Sequence, residues 1–243
     1  MFPRLVRNRQ YLSAFHFSGE PRISPTRTFT PVERRLVQRL KTPQAVQGWL
    51  NSLPYNTEKH GETMRGFRGV VRTGTAHCLE AVLFTATVLE HHGYPPLMLG
   101  FESIDLLDHV IFIYRGPDGW GSVARSRDPG LHGRKPVFRT PRALALSYTE
   151  GYIDYTGRIK GYAVVDLREL DPYNWRLGEG NLWKVERLLR DWPHVPIVSS
   201  DKRIDALRRK YTAFRKKHDY KPWKHYKGRE RWTPLPPEFR RHG

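Results

Sequence analysis

Gly74-Thr-Ala-His-Cys-Leu-Glu-Ala-Val-Leu-Phe-Thr-Ala-Thr-Val-Leu-Glu-His-His-Gly-Tyr-Pro-Pro96 is the stretch on which the fold turns. Leu79–His91 predicts a helix that is apolar on nearly every side, so it belongs inside a core and not on its surface. Gly93 is suited to terminate it, and Pro95-Pro96 prevents its continuation. Cys78 falls at the first turn, where unpaired backbone N–H groups and the positive end of the helix dipole favour a thiolate. The same N–H groups can receive a developing oxyanion.

Upstream, Pro43–Leu53 reads as a helix with Thr42 as N-cap, Pro43 at its first position and Val46, Trp49, Leu50 and Leu53 on one face. The segment Tyr55–Gly74 is polar, carries four glycines and reads as a loop delivering the chain to Cys78; its stretch Glu58–Arg65 is placed to line a cleft. Downstream, Leu97–Phe101, His109–Tyr114 and Trp120–Ser126 are strand candidates forming a meander, with a turn at Arg115-Gly-Pro-Asp-Gly119. Pro141–Tyr152 then reads as a helix, Ile159–Val165 as a strand, Asn181–Trp192 as an amphipathic helix and Arg203–Lys217 as a basic helix. The fold class is α+β: a buried helix that begins at a cysteine, packed on an antiparallel sheet. Residues 1–41 form a lead-in with one helix near Val32–Leu40, 42–200 the core domain, and 201–243 a basic, aromatic-rich extension.

Thiol chemistry needs a base beside the sulfur and a group that orients the base. His109 opens a strand that lies one buried helix and one strand after Cys78, a path that can return a strand end to the helix N-terminus. If Arg115 pairs with Trp120, His109 stands opposite Ser126, and Asp128 shares that face. Asp128 is therefore the candidate orienting residue, with Ser126 as a lesser one; Asp108 alternates to the other face.

Gly74–Ala81, continuing to His92-Gly-Tyr-Pro-Pro96, together with Asp108-His109-Val and Gly119-Trp120, resembles the core of the transglutaminase-like superfamily, a papain-like thiol fold. It is most similar to a group of uncharacterised bacterial transglutaminase-like cysteine proteinases, and the resemblance spans about Pro43–His194. It implies catalytic roles for Cys78 and His109. At the third position the chain departs from the pattern, with Ala124 where superfamily members carry an acid and Arg127 where the group carries an asparagine. The expected activity is hydrolysis of an amide or peptide, or acyl transfer, through a thioester at Cys78 with His109 as general base and Asp128 orienting it. The competing expectation is an impaired scaffold that binds through its basic tail.

Composition narrows the partners. Of 243 residues, 42 are Lys or Arg and 24 Asp or Glu, a net charge of +18. Fifteen basic and five acidic residues lie in 201–243, which points to an acidic partner or nucleic acid, and Trp223, Tyr226 and Trp232 alternate there with cations as base-stacking aromatics do. Trp49, Trp120, Trp175, Trp183 and Trp192 read as core. No apolar run approaches the roughly 18 residues of a membrane span. The start of the chain lacks a secretory signal, and the sole cysteine forms no internal disulfide, so a cytoplasmic protein is expected. No cofactor or metal is expected: there is no CxxC pair and no HExxH, and His91-His92 are adjacent instead of spaced for one ion.

Overall fold

In the computed structural model the described residues are 29–217, except 107, 128, 154 and 155. Their architecture is α+β, a six-stranded antiparallel sheet with helices on both faces. The elements run α1 (Pro31–Arg39), α2 (Pro43–Ser52), α3 (Phe67–Thr73), α4 (Cys78–Glu90), β1 (Leu97–Ser103), β2 (Val110–Gly116), β3 (Gly119–Val123), β4 (Arg134–Phe138), α5 (Pro141–Leu146), β5 (Ile159–Asp166), α6 (Trp183–Asp191), β6 (Val195–Pro196) and α7 (Asp201–Lys217). The strand order is β4-β3-β2-β1-β5-β6, so the meander of the first four strands is extended when β5 returns beside β1.

Period-two alternation divides the side chains between two layers. Met98, Phe112 and Tyr114 face α4 and the N-terminal helices. Leu97, Leu99, Phe101, Ile111 and Ile113 face α5, where Leu144, Ala145 and Tyr148 complete a second core. Because both faces are covered, β1 and β2 are buried through almost all their length instead of alternating apolar and polar. α4 is buried from Leu79 to Glu90, since the sheet lies on one side of it and α2 and α3 on the other. Phe84 stacks between Trp49, at 4.3 Å, and Phe67, at 5.4 Å. α1 joins this layer through Val37 and Leu40, and His92 at the far end of α4 bonds the Val37 carbonyl at 2.9 Å.

Four local readings are corrected. The segment between Tyr55 and Gly74 is not all loop, for it contains α3. Gly66 is that helix's N-cap, Gly74 its left-handed C-cap with φ 63°, and Phe67 and Val70 bury their side chains; two of the glycines that suggested a loop are helix boundaries. The helix after Pro141 ends at Leu146, short of Tyr152. β4 escaped notice because Pro136 interrupts it, yet β4 is an edge strand, where a missing N–H is tolerated. Trp183 is 38% exposed and not core, whereas Trp120 and Trp175 are buried, and Trp49 and Trp192 pack partly buried against the core. Residues 218–243, with the aromatic and basic tail reading, lie outside the described residues. No described helix is long and apolar enough to cross a membrane.

The tightest turn is the β2–β3 hairpin. Gly119 pairs with Gly116 at φ 143°, and a Cβ there would stand 2.5 Å from the Phe138 carbonyl oxygen on β4. Gly119→Ala combines a disfavoured backbone with a backbone clash, and a loss of about 1–3 kcal/mol is expected in urea unfolding.

Candidate active site

The site is assembled at the N-terminus of α4. His77 is the N-cap, and its Nδ1 accepts from the Leu79 N–H at 3.2 Å. Glu80, three residues on, accepts from the His77 N–H at 3.1 Å, closing a reciprocal capping arrangement in which histidine takes the place of serine or threonine. Cys78, between them, is the first helical residue, and it is partly exposed.

Glu80 itself is fully buried. The Arg65 guanidinium grips its two oxygens, with Nη2 at 2.7 Å from Oε2. Asn56 Nδ2 and Thr63 Oγ1 donate to it at 3.0 and 2.9 Å, and the Arg65 N–H at 3.1 Å. Burial alone would raise this carboxyl, but Arg65, the neighbouring His77 and these donors hold it down at about 2. Thr63 and Arg65 thus tie the segment Glu58–Arg65 to the base of α4, and Glu58 accepts from the Thr63 N–H. Tyr55 lies alongside through a backbone bridge to Ala76. Its phenol is pushed up by burial and by the Cys78 charge, so it stays protonated.

His109 enters from the sheet, immediately before β2. Its carbonyl accepts from the Phe101 N–H at 2.9 Å, its ring lies parallel to Phe101 at 6.2 Å, and Tyr148 stands 6.3 Å away. Nε2–H donates to the Leu131 carbonyl at 3.0 Å, which fixes the tautomer and leaves Nδ1 to receive the thiol proton. Cys78 lies within reach of both the His109 and the His77 rings. Burial would raise the thiol, but the hydrogen-bonding influence of His109 and then His77, followed by the charges on the two rings, brings it down to about 5. His77 is pushed up to about 9: burial opposes its charge, while the Cys78 hydrogen bond and charge and then the Glu80 carboxylate favour it.

The expected pair, Cys78 and His109, is therefore brought together. The hairpin register is as read, with Arg115 opposite Trp120, but the ladder stops at Phe112–Val123, so His109 and Ser126 never face each other in it. The next residue, Ala124, turns its backbone groups to the β4 side of β3, where they meet Gln47 of α2, which is fully buried. Its side-chain amide accepts from the Ala124 N–H and donates to the Ala124 carbonyl, both at 2.8 Å, capping β3 as another strand would. Ser126 presents its carbonyl to Arg125 and His132. Asp128 lies outside the described residues. The ring nitrogen an orienting carboxylate would take is occupied by the Leu131 carbonyl.

Two buried arginines hold that carbonyl's loop. Arg125 reaches the Leu53 carbonyl at 2.7 Å, and Arg134 reaches the carbonyls of His132 and Gly130, both at 2.7 Å, while stacking on Tyr148 at 4.0 Å. Tyr148 in turn donates to the His132 carbonyl at 3.0 Å and shares a hydrogen bond of 2.7 Å with Ser122. Sequence reading missed His77, Glu80, Tyr55 and the Leu131 carbonyl. The first two had a signal in the capping spacing His77-Cys-Leu-Glu80; a backbone carbonyl has none. Among the described residues there is no group of three His, Cys, Asp or Glu side chains able to hold a metal.

No model of a known protein family matches the chain, and no curated protein matches it.

Proposed function

We propose that this chain is a cysteine-dependent hydrolase or acyl transferase of the transglutaminase-like, papain-like type, acting on amide or peptide carbonyls. The single observation that carries it is the juxtaposition of Cys78 and His109 at the mouth of a buried helix, with the far nitrogen of His109 anchored on Leu131. A thiolate is the attacking species, and a depressed thiol beside a tautomer-fixed imidazole supplies one at neutral pH.

In the proposed reaction Cys78 Sγ attacks the carbonyl carbon, and the oxyanion forms against the N–H groups of the first turn of α4. The tetrahedral species collapses, the C–N or C–O bond breaks, and protonated His109 gives its proton from Nδ1 to the leaving amine or alcohol. A thioester remains. Water, or an amine in the transferase variant, then attacks it while neutral His109 removes the incoming proton, and the thiolate is regenerated. The Leu131 carbonyl performs the orienting part usually given to a side chain: it holds the tautomer and the ring plane through both steps.

The test is covalent trapping. Incubation with a small p-nitrophenyl ester is expected to release a burst of p-nitrophenolate stoichiometric with protein and to leave a hydroxylamine-labile acyl group on Cys78, seen by peptide mass spectrometry. Cys78→Ala is expected to abolish both. Acylation confined to lysines and unchanged in Cys78→Ala would overturn the proposal.

A further inference from the structure

Cys78 has two imidazole neighbours, and the mechanism just given uses one. Apart from Cys78, the partners of His77 are not those of His109. Nε2–H donates to the Thr63 carbonyl at 2.8 Å, and the carboxylates of Glu58 and Glu80 both stand 3.7 Å from that nitrogen. Glu58 is held in place by accepting from the Thr63 N–H at 2.8 Å, in a left-handed backbone with φ 54°. The side chain of His77 is 10% exposed, so these charges act on it with little screening. The other charged or titratable groups facing it are Cys78 and, beyond the sulfur, His109 and Tyr55, with Arg65 behind Glu80.

Its second nitrogen has two competing uses. With Nδ1 bare, His77 accepts from the Leu79 N–H and caps the helix. With Nδ1 protonated it must release that N–H, and the proton becomes available to the sulfur of the adjacent Cys78, whose anion the His77 ring favours. The released Leu79 N–H is one of the first-turn donors that an oxyanion at Cys78 needs.

We propose that His77 is a positioning residue with two states: neutral, it caps α4, and protonated, it holds Cys78 as the thiolate and hands the Leu79 N–H to the oxyanion. It takes its proton from solvent and keeps it through turnover. The proton that shuttles is the one that leaves Cys78, and His109 alone carries it to the leaving group. Glu58 and Glu80 supply the negative charge that favours the protonated state. The inference rests on Cys78 being the nucleophile, and the test separates the two.

His77→Asn is the informative variant, because asparagine is among the best N-cap residues but cannot carry charge. Alkylation of Cys78 by iodoacetamide is followed against pH in the wild type and in this variant, with Tm as a control. The expected result is a wild-type inflection near 5, moved upward in His77→Asn by roughly one to three pH units with Tm retained. His77→Ala is expected to show the same movement with a lowered Tm. If the wild type inflects near 5 and His77→Asn is superimposable, His77 is only a cap and the inference is overturned while the Cys78–His109 reading stands. If the wild type itself inflects in the ordinary thiol range of about 8.5, both fall together. A measurement needing no variant of His77 guards against misfolding: the His77 ring resonance in the wild-type chain is expected to titrate near 9, and to fall in Cys78→Ala. Titration of that ring near its ordinary value of about 6.5 would equally overturn the inference.

Discussion

His109→Ala is expected to slow acylation of Cys78 by about 10²–10⁴-fold, the usual contribution of a positioned general base. The same variant should raise the pH at which Cys78 becomes reactive. In the wild type the thiol is held near 5, so alkylation should climb through that pH and be flat at neutrality. Removing His109 deletes the larger of the two imidazole contributions that overcome burial, leaving His77 alone to stabilise the anion. The inflection should therefore rise by roughly one to three pH units without reaching that of a free thiol. The rate at a fixed pH is a poorer measure than the inflection, because a thiolate of lower pKa is also a weaker nucleophile. A profile unchanged by His109→Ala would remove His109 from the site, whatever the effect on acylation.

Glu80→Ala is expected to destabilise the fold by about 3–5 kcal/mol, the range seen when one partner of a buried ion pair is deleted. Arg65 would be left with its guanidinium facing an emptied cavity, the Asn56, Thr63 and His77 donors would lose their acceptor, and the N-terminal turn of α4 would be released. The acid side offers an independent check. The folded carboxyl lies at about 2, below its ordinary value of 4.5, so its contribution is fully present above about 4.5 and is lost as the pH falls toward 2. That window corresponds to about 3 kcal/mol. Denaturant midpoints measured across it should fall steeply for the wild type and by a smaller amount for Glu80→Gln. Equal slopes would mean that Glu80 is not the group whose protonation weakens the structure.

Glu80 also shows why Cys78 is well held. A cysteine at the first position of a helix is normally free to move with a fraying end. Here that end is closed from below by Glu80 and Arg65 and from the side by the Tyr55–Ala76 bridge, so the sulfur meets His109 as one rigid group meeting another. On the opposite bank the buried Arg125 and Arg134 bond backbone carbonyls. They serve to fold the loop back so that Leu131 faces the imidazole.

The helix of Leu79–His91 was legible because burial on all sides leaves a mark on every residue of the element. Thr42-Pro43 was legible because capping is local chemistry. The β2–β3 register followed from the turn residues, and the Cys78–His109 meeting from element order together with the family resemblance. α3 was hidden by glycines that serve as its caps and β4 by an edge proline, since one residue type can serve either a loop or an element boundary. Ser126 was misplaced because a ladder was extended past its end at Val123; from Ala124 on, the backbone is held by tertiary partners such as Gln47, a contact between residues 77 apart in the chain.

By itself the chain's order of residues determined an α+β protein with its only thiol at the start of a buried helix and one histidine at the start of a strand. What orients that histidine was decided only in three dimensions. A carbonyl oxygen is carried by every residue and so leaves no trace in a sequence. Which of them reaches Nε2 depends on how two buried arginines fold the loop after β3.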